Sequence, residues 1–327
     1  MDQLLAIDIG ASSVKAAIVR TGTWDITTRL SPVDIHDRRF DELRAAVERT
    51  ASVALGLNPG ISAVGISTTG SANTDDIVIS SGFYSGYQNV NWLDLLARSS
   101  SGRMRVVRVL NDGRAAAYGT FLADREARGQ HLVHFVIGTG IGGGMVAGGD
   151  VFNGTHNFAG AYGHIKVDPN DQRTCVCGGR GCVELYSAAP AVARFAIERG
   201  LTLSHADGRG VRDVGELARA GSEAARDAFR TAGRWLAVAI GAVANVCDPA
   251  YVTLGGGVVA AAQDGHGGNW YVEAAAAAAP AMVIPRIAEH LRVVEASLLN
   301  DAALIGAAAW AAGPRDVFFR PRPDTVT

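Results

Sequence analysis

The chain has 327 residues, of which 48% are apolar, and a formal net charge of −2. That length exceeds one average core and predicts two lobes, each with enough apolar material to fill its interior. A near-neutral balance without any lysine or arginine cluster excludes nucleic acid and anionic membranes as main partners, which leaves small molecules as the expected ligands.

Met1 leads directly into the strand-like LLAIDIG with no basic leader, and no apolar stretch reaches the ~18 residues of a membrane span, so a cytoplasmic protein is expected. Residues 3–20 read as a β-hairpin turning at DIGASS. Residues 40–55 carry apolar side chains at helical spacing, SAVGIST forms a strand, WLDLLARSS a helix and RVVRVLND a strand. From Gly113 to about Arg128 the pattern is helical again. The strand HLVHFVI, the glycine cluster GTGIGGG and a strand at MVAGG follow. Beyond residue 184, ELYSAAPAVARFAIERG, DVGELARAG and the long run ending VANVCDP are expected helices, the last closed by Asp248 and Pro249. YVTLGGGVV is a strand meeting a glycine turn, WYVEAAAAAAPAM a helix stopped by Pro280, LRVVEASL a strand and ALIGAAAWAAG a final helix ending at Gly313. The proline-broken residues 314–327 read as a loose tail. Strands interleaved with helices place the chain in the α/β class, with two similar lobes and no repeat at a fixed sequence period.

Three of the four cysteines, Cys175, Cys177 and Cys182, fall in CVCGGRGCVE, and His164 lies eleven residues before the first. Three thiolates and an imidazole fill the four tetrahedral positions of Zn²⁺ and leave none for an activated water, so the spacing predicts a structural zinc site. The competing reading, a set of buried reduced cysteines, does not account for glycines interleaved at such short spacings. Cys247 reads as a core residue. Only two lysines occur, Lys15 and Lys166, and both read as solvated.

Three glycine turns, DIGASS, GTGIGGG and LGGGVV, each offer backbone N–H groups with no side chain in the way, which suits phosphate oxygens. Gly138, Gly140 and Gly143 also fit the dinucleotide pattern G-x-G-x-x-G. That reading requires a helix directly after the glycines, whereas MVAGG continues as a strand.

Taken in order, these segments resemble the ROK-family sugar kinases. IDIGASSVKAAIV is similar to the family's first phosphate motif, FVIGTGIGGGMVAGG to its second, YVTLGGGVV to its adenosine-side motif, LNDGRAAAYG to its catalytic Asn-Asp segment and CVCGGRGCVE to its zinc signature. The resemblance implies a two-lobed actin-like ATPase (ribonuclease H-like) fold with a zinc-binding segment. The smaller lobe would comprise residues 1–112 plus 298–327, and the larger lobe residues 113–297. It implies transfer of the γ-phosphoryl of ATP to a sugar hydroxyl, a reaction in which the protein mainly positions groups and offsets charge.

By the same resemblance, Asp112 is the base for the attacking hydroxyl and Asn111 binds neighbouring hydroxyls. Without the surrounding motifs, an Asn-Asp pair at a helix start reads more readily as an N-cap. Asp8 would orient Mg²⁺; Gly10, Ser12 and Ser13 would face the phosphates, the serines standing where the family has Gly-Thr. Gly138, Thr139 and Gly140 would hold the β- and γ-phosphates, and Gly255, Gly256 and Gly257 would border the adenosine. His164 would give one ring nitrogen to zinc and turn the other to the sugar, with Glu184 accepting sugar hydroxyls. The family's Glu-x-Gly-His is replaced here by Ala161, Tyr162, Gly163 and His164, which removes one sugar-binding carboxylate and puts plain glucose in question. Candidate substrates are therefore a hexose or an aminohexose such as kanosamine. The alternative is a non-catalytic sugar-sensing ROK protein. ROK repressors carry an N-terminal helix-turn-helix for which the seven residues before Asp8 leave no room. A homodimer through the larger lobe is expected from the resemblance.

Overall fold

The structure, a computed structural model, describes residues 2–81, 83–124, 130–298 and 301–313, so the expected tail at 314–327 lies outside the described residues. The first hairpin pairs β1 (Gln3–Ile9) with β2 (Ser13–Arg20), and β3 (Ile26–Asp34) extends it. β3 is an edge strand exposed at most positions, so it lacks the apolar alternation that marks its neighbours. Helix α1 (Phe40–Leu57) buries Leu43, Val47, Ala51 and Leu55 on one face, and β4 (Ala63–Thr68) is buried along its whole length, as a central parallel strand must be. Three short strands, β5 (Ser71–Ala72), β6 (Ile77–Ser80) and β7 (Val90–Asn91), form a small sheet beside α2 (Trp92–Ser99). β8 (Val106–Asn111) completes a five-stranded sheet in the order β3-β2-β1-β4-β8, with β1, β4 and β8 parallel.

Helix α3 (Asp112–Ala123) ends before the extended Asp124, and the expected helical residues 125–128 lie outside the described residues. The second sheet opens with β9 (Leu132–Ile137), β10 (Ile141–Ala147) and β11 (Asp150–Val151). β10 starts inside the glycine cluster, so only Gly138–Gly140 forms the turn and no helix follows it. The single helix expected from residue 184 is two, α4 (Glu184–Ser187) and α5 (Ala189–Glu198), with Ala188 extended between them. Pro190 explains the break: its ring would clash with the carbonyl four residues upstream in a continuous helix. Then come α6 (Val211–Arg219), α7 (Glu223–Cys247), β12 (Tyr251–Gly255), α8 (Gly257–Ala261), α9 (Trp270–Ala278), α10 (Pro285–Ala288), β13 (Arg292–Glu295) and α11 (Ala302–Ala312).

The second sheet runs β11-β10-β9-β12-β13, antiparallel through β9–β10–β11 and parallel through β9, β12 and β13. Strand for strand it repeats the first sheet. The two lobes expected from sequence are thus similar in topology, with a repeat that lives in strand order. One core, including Leu43, Val47, Ile66 and Trp92, packs α1 and α2 on the first sheet; another, including Phe135, Phe229, Leu236 and Tyr271, packs α5, α7 and α9 on the second.

Helix α11 returns from the end of the chain to pack on α3, β1 and β4. A Cβ at Gly306 would stand 1.8 Å from the Ala115 carbonyl oxygen, so α3 and α11 meet backbone to backbone. Helix propensity alone would make Gly306→Ala stabilising by about 0.5–1 kcal/mol. Overpacking at this contact outweighs that gain, and a net loss of about 1–3 kcal/mol is expected in urea unfolding. A net gain would show that the helices can move apart at little cost.

Candidate active site

The carboxyl ends of β1, β4 and β8 lie side by side, with Ile9, Thr68 and Asn111 in one register row. Ligands of α/β sheets collect outside this edge. Asp8 accepts a hydrogen bond from Ser67 Oγ (2.8 Å) and lies opposite Lys15 on β2. Burial raises its pKa, and the Ser67 bond and Lys15 offset part of that rise. The turn after β1 is closed by Gly10 N–H to the Ser13 carbonyl (3.0 Å), and Tyr84 Oη donates to the Gly10 carbonyl (2.5 Å). Ser12 is exposed on this turn and Ser13 half-buried.

Asn111 ends β8 and caps α3: its Oδ1 accepts from Gly113 N–H (3.1 Å) and Arg114 N–H (3.3 Å). Its Nδ2 donates to the Gly70 carbonyl (2.8 Å) and to Asp112 Oδ1 (2.9 Å). The N-cap reading of this pair is therefore what the geometry displays, and the cap itself fixes the Asp112 carboxylate. Gly113 N–H also donates to Asp112 Oδ1 (2.8 Å). Asp112 is exposed to solvent, yet protein groups crowd closely around its carboxylate. Burial and then the Asp8 charge push its pKa up to about 6, against the Gly113 and Asn111 hydrogen bonds and the Arg114 charge.

Arg114 is 2% exposed, and burial brings its guanidinium down to about 10. It donates to Asn153 Oδ1 (2.7 Å) and the Asn157 carbonyl (2.8 Å), tying the start of α3 to the loop that leads to Ala161. A Cβ at Gly113 would stand 2.6 Å from Gly143 N, so this helix start rests directly on the β10 backbone.

On the second sheet, Gly138, Thr139 and Gly140 close the β9–β10 turn through Gly138 N–H to the Gly140 carbonyl (2.9 Å). Gly255 ends β12, Gly256 adopts φ 98°, and Gly257 begins α8. A Cβ at Gly256 would come within 2.5 Å of the Ile137 carbonyl oxygen, so these two glycine turns are neighbours.

His164 ends a single 3₁₀ turn, Tyr162–His164, and its ring lies with the thiols of Cys175, Cys177 and Cys182: one ligand atom from each falls within 4.8 Å of the others. One nitrogen and three sulfurs in this compass fit a structural Zn²⁺. Glu184, at the start of α4, touches both sides of the site. The Cys175 thiol donates to its Oε1 (2.7 Å), His164 Nδ1 is 3.6 Å from the same oxygen, and a Cβ at Gly140 would be 3.1 Å from Oε2. Ala161 is exposed, while the Tyr162 ring packs on Phe135 (4.9 Å between centroids), so Tyr162 does not occupy the space beside Ala161. Cys247 is half-buried against the second core, and its thiol donates to the Val243 carbonyl (3.2 Å).

The structure thus gathers Asp8, Asn111 and Asp112 at one sheet edge, and His164, Glu184 and Gly140 at the zinc side. Ser67, Gly70, Arg114 and Asn153 escape sequence reasoning because a strand-end serine or a buried arginine carries no local signal. Lys166 is exposed, as expected, and its ammonium also donates to Cys182 Sγ (2.8 Å).

The raised pKa of Asp112 makes stability pH-dependent. The folded state favours the protonated acid, so this group's contribution is fully present below the ordinary value of 3.8 and is lost as pH rises through about 6. Asp112→Asn should melt above the wild type at about pH 7.5 and alongside it near pH 4. Thermal denaturation at both pH values checks this, and equal differences at the two would refute it.

The ROK family model matches residues 4–313 of the chain. The glucokinase of Halalkalibacterium halodurans is 28% identical over 92% of this chain and 92% of its own. An N-acetylmannosamine kinase of Escherichia coli is 32% identical over 63% of this chain and 65% of its own. A crystal structure of a ROK family glucokinase from Streptomyces griseus in complex with glucose and AMPPNP matches with a TM-score of 0.77 at 25% identity, covering 95% of this chain and 99% of that one. A family match that runs through both sheets and the zinc segment leads to one conclusion: the chain belongs to the ROK family.

Proposed function

We propose that this chain is an ATP-dependent sugar kinase acting on the 6-hydroxyl of a glucose-like hexose or aminohexose. The observation that carries the reading is Asp112, a carboxylate of raised basicity held at the cleft edge by a helix cap. A base with a pKa of about 6 is largely ionised at neutral pH and still takes a proton more readily than an ordinary aspartate.

In this reading the phosphates of ATP lie along Gly10, Ser12 and Ser13 on one side and Gly138, Thr139 and Gly140 on the other, with the adenosine beside Gly255, Gly256 and Gly257. Asp8, whose burial is offset only by a neutral hydroxyl and an exposed lysine, suits a cation. Mg²⁺ held there supplies neutralisation of phosphate charge. The sugar lies between Asn111 and Asp112 and the pair His164 and Glu184. Asp112 accepts the 6-hydroxyl proton as that oxygen bonds to the γ-phosphorus. The bond from phosphorus to the β–γ bridging oxygen breaks, and its electron pair leaves with ADP. An Asn111 hydrogen that binds a sugar hydroxyl does so by giving up Asp112 or Gly70. Zn²⁺ on His164, Cys175, Cys177 and Cys182 supplies rigidity to the pocket wall. Residues 1–112 with 298–327 and residues 113–297 act as the two lobes, whose closure excludes water as a competing acceptor.

The exposed Ala161 and the inward turn of Tyr162 support a sugar bearing a substituent that glucose lacks, an amino sugar above all. A homodimer through the larger lobe is supported by the exposed apolar Val246, Met282 and Ile284 around the end of α7. No helix of the described residues is long and apolar enough to cross a membrane.

Asp112→Asn should retain ATP and sugar binding while turnover falls ~10²-fold or more. Turnover near the wild-type value on the best sugar would remove Asp112 as the base. Sugar binding by the wild type without ADP release would favour the non-catalytic sensor. Across a hexose and aminohexose panel, kcat/KM for an aminoglucose should exceed that for glucose. Ala161→Glu should restore glucose by roughly tenfold or more, the scale of a charged acceptor. A wild type that already prefers glucose, unchanged by the substitution, would overturn the amino-sugar reading.

A further inference from the structure

The chain contains only two lysines among 30 basic residues, and both stand beside anionic groups of the site. Lys15 lies opposite Asp8, and Lys166 lies against Cys182. Lys166 and Cys182 also face each other in an antiparallel bridge, so the backbone sets the approach of ammonium to sulfur. The distance from Nζ to Sγ is 2.8 Å. Gly179 borders the same space: a Cβ there would stand 2.5 Å from Lys166 Nζ and 3.5 Å from Cys177 Sγ.

We propose that Lys166 is a positioning residue of the zinc site, whose ammonium hydrogen-bonds the Cys182 thiolate and strengthens metal retention, in a space that Gly179 keeps open. The proposal rests on the zinc reading given above. Three thiolates and a neutral imidazole leave Zn²⁺ with one net negative charge, and one ammonium balances it. The ammonium offsets the negative charge of the thiolate-rich site, and its charge-assisted hydrogen bond fixes the direction of the Cys182 sulfur toward the metal. The group must be compact. A guanidinium is planar and wider than an ammonium, so it does not reproduce the single close contact of Nζ with Cys182 Sγ. Cys182 lies two residues before Glu184, so a firmly held Cys182 also fixes the start of α4 and the carboxylate it carries.

The test uses the full chain as purified, with Lys166→Met, Lys166→Gln, Lys166→Arg and Gly179→Ala. Zinc dissociation constants would be measured by competition with a chromophoric chelator, and thiolate-to-metal charge-transfer bands in the Co²⁺-substituted proteins. The expected result is a zinc Kd raised roughly 10- to 100-fold in all four variants, with a shifted charge-transfer band. Metal-free melting temperatures should equal that of the metal-free wild type, a separation that a purely structural lysine would not give. Wild-type Kd and an unmoved band in Lys166→Met and Lys166→Gln would overturn the proposal. So would full retention of zinc by Lys166→Arg, which would show that any cation serves. A variant that melts early without metal would indicate a structural role and count against the proposal. A wild type without zinc would sink the zinc reading itself, whereas a zinc-loaded wild type with indifferent variants sinks only the role of Lys166.

Discussion

The cleft depends on a single amide side chain. Asn111 uses both lone-pair directions of Oδ1 on the first N–H groups of α3 and both hydrogens of Nδ2 on Gly70 and Asp112. One group therefore joins the end of β8, the start of α3, the turn after β4 and the Asp112 carboxylate. An uncapped helix start would leave buried donors unpaired, so the arrangement is enforced by backbone hydrogen bonding before any ligand is considered. The carboxylate inherits its position from that requirement.

The remainder of the site follows from duplicated topology. Each sheet opens with a hairpin whose tight turn lies at the carboxyl end of its central strand, then adds parallel strands ending at the same edge. Backbone N–H groups consequently gather at corresponding places in both halves. Acidic groups gather as well, and their burial is the main influence on the electrostatics. Burial raises the cost of ionising both Asp8 and Asp112, and the Asp8 charge adds to it at Asp112, while Lys15 acts against it at Asp8 and the Gly113 N–H, Asn111 and Arg114 at Asp112. Glu184 connects this edge to the zinc side, because the carboxylate that meets Gly140 also meets Cys175.

Much of this was legible in the sequence where chemistry is local. The spacing of His164, Cys175, Cys177 and Cys182 announces a four-donor site, and the structure brings those four atoms together. Buried strands such as β4 and β9 declare themselves as apolar runs between turn residues. β3 did not, because an edge strand facing solvent has no apolar period, and the break at Ala188 lay hidden in a segment whose composition is helical throughout.

By itself, then, the sequence determined the α/β class, the glycine turns, the thiolate cluster and the Asn111–Asp112 pair, because each is encoded in adjacent or closely spaced residues. Tertiary structure alone decided that Ser67 bonds Asp8, that Arg114 reaches Asn153 and Asn157, that Tyr162 turns into the core beside Phe135, and that Lys166 meets Cys182. These contacts join residues that are either distant in the chain or whose side-chain direction depends on packing. Periodicity and spacing report which face of an element is apolar. They do not report what stands opposite once two sheets and α11 have closed around α3.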